Sequence, residues 1–312
     1  MQALATLPMG IHSRIMIKRK RYAALQLSPA KAKLIEEQMR LEFVYNSNSI
    51  EGVTLSIGET ELALRGVTVK GRSIADVLAA QNHPAALALI KDIAFSRHRI
   101  ASSDILAIHK ALMSNIMSSA GEYRKGDVQI VGASFTPPPA YMVPGEVDEL
   151  VQFINENPDE LRPVELAAHA HYYLAWIHPF DDGNGRLARL LMNLLLLRGR
   201  YPAAVIKKVD RKKYIDLLDR VSRDGKFEPF LMFIARCAEQ SLDLYLNAGK
   251  RTPEEKLESL TVLARHSPYS AEYLSLQARK GVLDAVKVGR VWMSTQKAIS
   301  AYVKEHGRKD TT

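Results

Sequence analysis

Along most of the chain, apolar residues recur at the three-to-four-residue interval of an α-helix with one buried face. Leu34, Ile35, Met39, Phe43 and Val44 mark one such face, behind an opening Ser28-Pro29 pair. Asp76 to Phe95 is rich in Ala and Leu and interrupted at Pro84, and Ser103-Asp104 caps Ile105 to Leu112. Further helices are predicted over Gly145–Asn155, Pro163–His178, Arg186–Arg198, Arg211–Val221 and Phe227–Leu246. The pattern predicts a mainly α protein.

Two regions depart from it. Between Tyr123 and Met142, the run Val128-Gln129-Ile130-Val131 is followed by Gly132 and then by Pro137, Pro138 and Pro139. Short β-like runs ending in prolines predict a hairpin that no helix continues through. With no sheet to join, it packs on the bundle or works as a flap over a site. A boundary falls near Asn247 to Pro253. Beyond it the chain predicts a helix over Ala271–Arg279, two short strands turning at Gly289-Arg290, and a helix over Gln296–Val303.

Composition narrows the classes. The 312 residues are 47% hydrophobic and 25% charged, ordinary for a globular chain of about two domains. No apolar run reaches the roughly 18 residues that span a bilayer, and no membrane role is expected. The basic cluster Lys18–Arg21 follows a weak apolar stretch, the wrong order for a secretory signal. The single cysteine, Cys237, lies in an apolar context and excludes an internal disulfide framework. These features point to the cytoplasm. The net charge of +9 favours anionic partners.

The chemistry concentrates in His178-Pro-Phe-Asp-Asp-Gly-Asn-Gly-Arg-Leu-Ala-Arg189. One helix ends at His178, a loop follows, and a second helix begins near Arg186. Unpaired backbone N–H groups at that helix start attract anions, and Gly183 and Gly185 let a phosphate approach closely. Arg186 and Arg189, three apart, project from one face. Asp182 offers a hard oxygen suited to Mg²⁺ beside phosphates. His178 suits proton removal from an attacking hydroxyl. Together these describe nucleotidyl or phosphoryl transfer. His169 and His171 lie two apart, point to different sides of a helix, and read as structural.

The stretch resembles the signature of the Fic family, H-P-F-x-[D/E]-G-N-G-R-x-x-R, at every specified position. Gly121-Glu-Tyr-Arg124, the prolines 137–139, Asn193 and Tyr214 extend the resemblance, which covers roughly residues 30–245. It implies a Fic-type helical bundle with a β-hairpin flap. It also implies an adenylyltransferase that moves AMP from ATP–Mg²⁺ onto a Ser, Thr or Tyr hydroxyl of a protein and releases pyrophosphate. On that resemblance His178 is the base and Asp182 holds Mg²⁺. Gly183, Asn184 and Gly185 cradle the phosphates, and Arg186 and Arg189 bind the β and γ phosphates. Tyr214 and Leu217 are adenine-pocket candidates. Val128, Gln129, Ile130, Val131 and Gly132 form a flap that aligns the target by strand addition. A phosphotransferase branch of the family alters Gly-Asn-Gly-Arg, which is intact here; AMP removal, self-modification and homo-oligomers stay open.

Upstream, Ser47-Asn-Ser-Ile-Glu51-Gly52 resembles the family's inhibitory motif [S/T]-x-x-x-E-[G/N], which implies Glu51 reaching Arg189 and competing with the γ-phosphate. The C-terminal segment resembles small winged helix-turn-helix units of the excisionase kind, with Lys287 and Arg290 on the wing, and would make DNA a partner. The resulting organisation is an N-terminal helical region with the inhibitory motif (1–110), a catalytic core (111–248) and a small α/β winged unit (249–312). A DNA-binding regulator with a nucleotide-sensing core is the competing reading.

Overall fold

The computed structural model describes residues 4–96, 98–130, 132–250, 258–280, 282–288 and 291–306. The chain forms two compact units, Met1–Leu246 and Asn247–Thr312. The first is built from α1 (Met9–Ala23), α2 (Pro29–Ile50), α3 (Ile57–Leu64), α4 (Ile74–Phe95), α5 (Ser102–Met113), α6 (Val143–Glu156), α7 (Pro163–Ile177), α8 (Asn184–Arg198), α9 (Arg211–Asp224) and α10 (Glu228–Lys250).

The hub is α8. Its residues from Arg186 to Leu196 are buried, with α7, α4, α5 and α2 packed around it. Leucines surround most of it and its buried Asn184, Arg189 and Asn193 bond within the protein, so it keeps no face for water and takes the centre of the bundle. Pro163 opens α7 in the first turn, where a missing N–H breaks no ladder bond. The Glu165 carboxylate accepts from Arg162 N (2.8 Å) and from Leu7 N (2.7 Å), tying the N-terminal segment to the start of α7.

Several elements depart from the sequence reading. The basic stretch around Lys18, for which no helix is predicted, is itself helical, as α1, and Lys18 reaches Glu239 (2.9 Å) and Asp243 (2.6 Å) on α10. The short helix α3 begins with a Ser56–Glu59 capping box inside a stretch too brief to show periodicity. Pro84 does not interrupt α4, whose buried face of Ala79, Ala80, His83, Ala86 and Ile90 runs straight past it. Packing along that face outweighs the roughly 3 kcal/mol that an interior proline costs.

The expected flap hairpin is also corrected. Among the described residues Val128, Gln129, Ile130 and Gly132 belong to no ladder; Val131 lies outside them. The segment is irregular, with a turn closed by Ala133 N to Ile130 O (3.1 Å) and Gly132 at φ +82°. Prolines 137–139 bring no N–H donors, and an isolated hairpin without a third strand is marginal.

The second unit contains β1 (Glu258–Ser259), α11 (Leu260–Leu263), α12 (Ala271–Arg279), β2 (Val286–Val288), β3 (Val291–Ser294) and α13 (Gln296–His306). The strands form an antiparallel sheet in the order β1-β3-β2, with Val286 opposite Met293 and Val288 opposite Val291. The predicted turn residues Gly289 and Arg290 lie outside the described residues. Leu260, Leu263, Leu274, Leu283, Ile299 and Tyr302 make its core, with Trp292 packed on it. Leu274→Ala should cost this unit about 2–5 kcal/mol. The measurement is the denaturant midpoint of Trp292 fluorescence in a Trp176→Phe background; an unmoved midpoint would contradict the core assignment.

Candidate active site

The loop between α7 and α8 is held by bonds to its own backbone. His178 ends α7 in a left-handed conformation, φ +51°. Its Nδ1 lies 3.2 Å from the Ala175 carbonyl, which can only accept, so Nδ1 carries the proton and Nε2 keeps a lone pair. Burial pushes the His178 pKa down, and the Ala175 contact opposes this. Phe180 is fully buried and stacks at 3.6 Å on the ring of His109 from α5.

Gly183 begins α8 at φ +82°, and the first intrahelical bond runs from Leu187 N to Gly183 O (2.9 Å). The N–H groups of Asn184, Gly185 and Arg186 therefore have no partner in the helix and carry its positive end. Asp182 points outward, its side chain 65% exposed, with Oδ1 accepting from Gly183 N (2.6 Å) and Oδ2 paired with Arg186 (3.1 Å). Asn184 departs from its expected place: its side chain is buried and bonds both to Phe180 N (3.0 Å) and to Phe180 O (2.7 Å). It closes the loop from inside, and only its backbone N–H remains for an anion.

Arg189 lies one turn on, 1% exposed. Its guanidinium pairs with Glu51 (2.7 Å) and donates to Ser47 Oγ (2.9 Å) and to the Ser47 carbonyl (2.9 Å). The inhibitory-motif residues and the signature arginine are therefore in direct contact. Burial disfavours the Arg189 charge, and the Glu51 carboxylate and Tyr214 more than offset that, so its pKa is raised. A pair about 4 Å apart gains roughly 4 kcal/mol at an effective dielectric of 20, before desolvation. Glu51 also stands at the positive end of α8, so close to Gly185 that a Cβ there would collide with its Oε1. Gly52, at φ +94°, turns the chain away after α2.

The end of α2 is fastened from a second side. Glu42, Asn46 and Ile50 lie four apart on one face. They meet Lys207 Nζ (2.6 Å), Lys208 N (2.8 Å) and Arg211 Nε (2.6 Å) respectively, the last at the Ile50 carbonyl.

Tyr214 is corrected as well. It is 2% exposed, its hydroxyl 2.9 Å from His171 Nε2 and its ring stacked on Phe233, so it supports the Arg189 pocket from below and offers no open face to an adenine ring. Burial pushes its pKa up to about 12 and that of His171 down to about 3. His169 bonds to the Ala5 carbonyl (3.1 Å) and stacks on Phe227.

Arg124 was legible only as part of the family's run. Its buried guanidinium donates to the carbonyls of His178 (2.9 Å), Gly126 (3.0 Å) and Pro138, and its N–H to Pro179 O (3.0 Å). It fixes the base of the Val128–Gly132 segment against the loop between α7 and α8. Ser134 N to Asp219 Oδ1 (2.6 Å) holds the segment's far end to α9.

Residues 99–196 match the Fic/DOC family profile. A Fic-domain signalling protein from Bacteroides thetaiotaomicron is 31% identical, with a TM-score of 0.71 over 77% of this chain and 98% of that one. The chain belongs to the Fic/DOC family. Fic-1 from C. elegans has a similar fold, at 32% identity and TM-score 0.70 over 77% of this chain and 72% of that one. Among curated relatives, the protein adenylyltransferase Fic of Drosophila persimilis is 35% identical over 245 residues, and that of Culex quinquefasciatus 32% over 294. The chain spans about half the length of the curated relatives it matches.

Within this Fic fold no group of three or more metal-ligating side chains occurs among the described residues. Asp182 offers an outward carboxylate beside the helix start, which fits a magnesium ion already carried by phosphate oxygens. No helix of the described residues is long and apolar enough to cross a membrane. Burial lowers the His178 pKa below its ordinary value of 6.5, which favours the neutral ring. On acidification below 6.5 the unfolded chain takes up this proton first, so the contribution of His178 to stability falls with pH. A histidine NMR titration should give it a midpoint below 6.5; a midpoint at or above that value would contradict the burial argument.

Proposed function

We propose that this chain is a protein adenylyltransferase whose own Glu51 holds it in check. The observation that carries the reading is the shared position of the Glu51 carboxylate: it pairs with Arg189 at 2.7 Å and sits against Gly185, at the helix end where phosphates would bind. ATP is the substrate. Its phosphates lie along the backbone of Gly183–Gly185, between Arg186 and Arg189. Asp182 holds Mg²⁺, which neutralises phosphate charge when bound. His178 Nε2 takes the proton from a Ser, Thr or Tyr hydroxyl of the target protein. The hydroxyl oxygen bonds to the α-phosphorus while the bond from that phosphorus to the oxygen bridging to the β-phosphate breaks, and pyrophosphate leaves. The segment Val128–Gly132, with backbone groups that pair with no strand among the described residues, suits an extended target laid alongside it.

With Glu51 in place, Arg189 cannot clamp the γ-phosphate, and the end of α2 is kept there by Lys207, Lys208 and Arg211. The test is incorporation of label from ATP marked at the α-phosphate, in the chain itself and in added lysate. Glu51→Gly should raise it about tenfold or more, the scale of a charge-assisted contact net of solvation. Arg189→Ala should be weak, and the double variant equally weak, since both lack the clamp. His178→Ala in the Glu51→Gly background should lose about 10²–10⁴-fold with the fold intact. A Glu51→Gly protein no more active than wild type rejects the brake. Label retained from the γ-phosphate instead of the α-phosphate rejects AMP transfer in favour of phosphotransfer.

The sheet order β1-β3-β2, with α11 and α12 between β1 and β2, supports a second reading for the Asn247–Thr312 unit: a winged helix that binds duplex DNA. Arg279 and Lys280 are exposed at the end of α12. Duplex binding by the full chain should weaken steeply with salt and weaken further in Arg279→Ala/Lys280→Ala. Absence of salt-dependent binding removes this reading.

A further inference from the structure

His109 lies outside every motif in the sequence, yet it touches the loop between α7 and α8 in two ways and the segment after α5 in a third. Its Nε2 is 3.0 Å from the Asp182 carbonyl, and its Nδ1 is 2.9 Å from the Gly121 backbone N–H. Its ring lies 3.6 Å from that of Phe180 with only 10° between the planes. It is fully buried. A backbone N–H only donates and a carbonyl only accepts, so these two partners fix the ring as the neutral Nε2–H tautomer. The same loop is pressed onto α5 nearby: a Cβ on Gly183 would lie 2.9 Å from Met113 Sδ and 3.3 Å from His109 Nε2.

The consequence follows from peptide geometry. In a planar trans peptide the C=O and the following N–H point in opposite directions. Drawing the Asp182 carbonyl inward to His109 therefore aims the Gly183 N–H outward, to the side where the Asp182 carboxylate now receives it at 2.6 Å. Gly183 takes φ +82° to follow that peptide into α8, and the N–H groups of Asn184, Gly185 and Arg186 come next along the same face. Successive N–H groups in such a left-handed to right-handed step form an anion-binding concavity. If the Asp182–Gly183 peptide rotated, a carbonyl would face the phosphates instead.

We propose that His109 is a positioning residue for the phosphate site: through the Asp182 carbonyl it sets the direction of the first N–H of the anion nest, and through Gly121 it ties that setting to the chain leading into the Val128–Gly132 segment. This rests on the reading of the loop as a nucleotide phosphate site. Phe180 alone cannot do the same, because a ring stack fixes a plane and not the sense of a peptide bond.

The test uses the full chain in the Glu51→Gly background. His109→Phe keeps the aromatic stack and loses both hydrogen bonds, whereas His109→Gln keeps one donor and one acceptor. Affinities for ATP with Mg²⁺ and for adenosine, which has no phosphate, are measured by calorimetry beside α-phosphate labelling. The expected result is at least a tenfold loss of ATP affinity and of labelling in His109→Phe, an unchanged adenosine affinity, and substantial recovery in His109→Gln. ATP affinity equal to that of the parent overturns the proposal. An equal loss for adenosine also overturns it, since general damage to the pocket would do that. Should His109→Phe fail to fold, ¹⁵N histidine spectra of the unmodified chain decide: the Nε2–H tautomer is expected, and an Nδ1–H tautomer overturns the proposal. If the Glu51→Gly parent binds ATP but transfers no AMP, the adenylyl-transfer reading fails while the affinity comparison still judges His109.

Discussion

A buried guanidinium must be answered by something, and in this fold the answer to Arg189 comes from far upstream in the chain, from Ser47 and Glu51 at the end of α2. Removing one partner of such a pair strands a charge in the interior, at a cost of about 3–5 kcal/mol. That requirement organises the surroundings. Ser47 and Glu51 lie four apart, so that both face α8 from the last turn of α2. Gly52 turns the chain immediately afterwards, and Lys207, Lys208 and Arg211 hold the last three turns of α2 at Glu42, Asn46 and Ile50. A phosphate arriving at Arg189 would supply the charge that Glu51 supplies now, so the two arrangements satisfy the same guanidinium by different means.

Around this contact the loop is built from side chains that bond to backbone. Asn184 closes it on Phe180, His109 donates to the Asp182 carbonyl, and Arg124 gathers carbonyls from both the loop and the base of the neighbouring segment. A carbonyl cradle around a guanidinium needs a planar fork of donors, and the point charge of a lysine does not replace it. Each of these groups is buried, where an unmade hydrogen bond is costly. The outcome is a set of fixed N–H directions at the start of α8, with Asp182 facing outward and His178 Nε2 left without a hydrogen bond among the described residues for its proposed role.

What could be read in the sequence followed from how far apart the interacting residues lie. The helices with strong periodicity, such as α6, α9 and α10, were visible because their burial is written in one stretch of chain. The signature from His178 to Arg189 was visible because most of the site is contiguous. His109 was not, because its partners are Gly121 and Asp182 and nothing in Ile-His-Lys distinguishes it from any histidine on an apolar face. Tyr214 and Asn184 were read as ligands since residue type alone does not say which way a side chain turns. Both turn inward, to His171 and to Phe180. The Val128–Gly132 run was read as a hairpin from its β-branched residues, but strand pairing needs donors on a neighbouring segment, and the prolines bring none.

Gly185 carries a consequence for how such a chain can change. Its missing side chain leaves room for Glu51, and the same room lies at the helix end proposed for phosphate. Any larger residue there evicts the carboxylate and crowds the nucleotide in one step. On the proposed reading of Glu51 as a brake, mutational routes to a permanently released form therefore do not pass through Gly185. They pass through the end of α2 and the residues that clasp it, where a substitution can alter restraint and leave the reacting groups as they are.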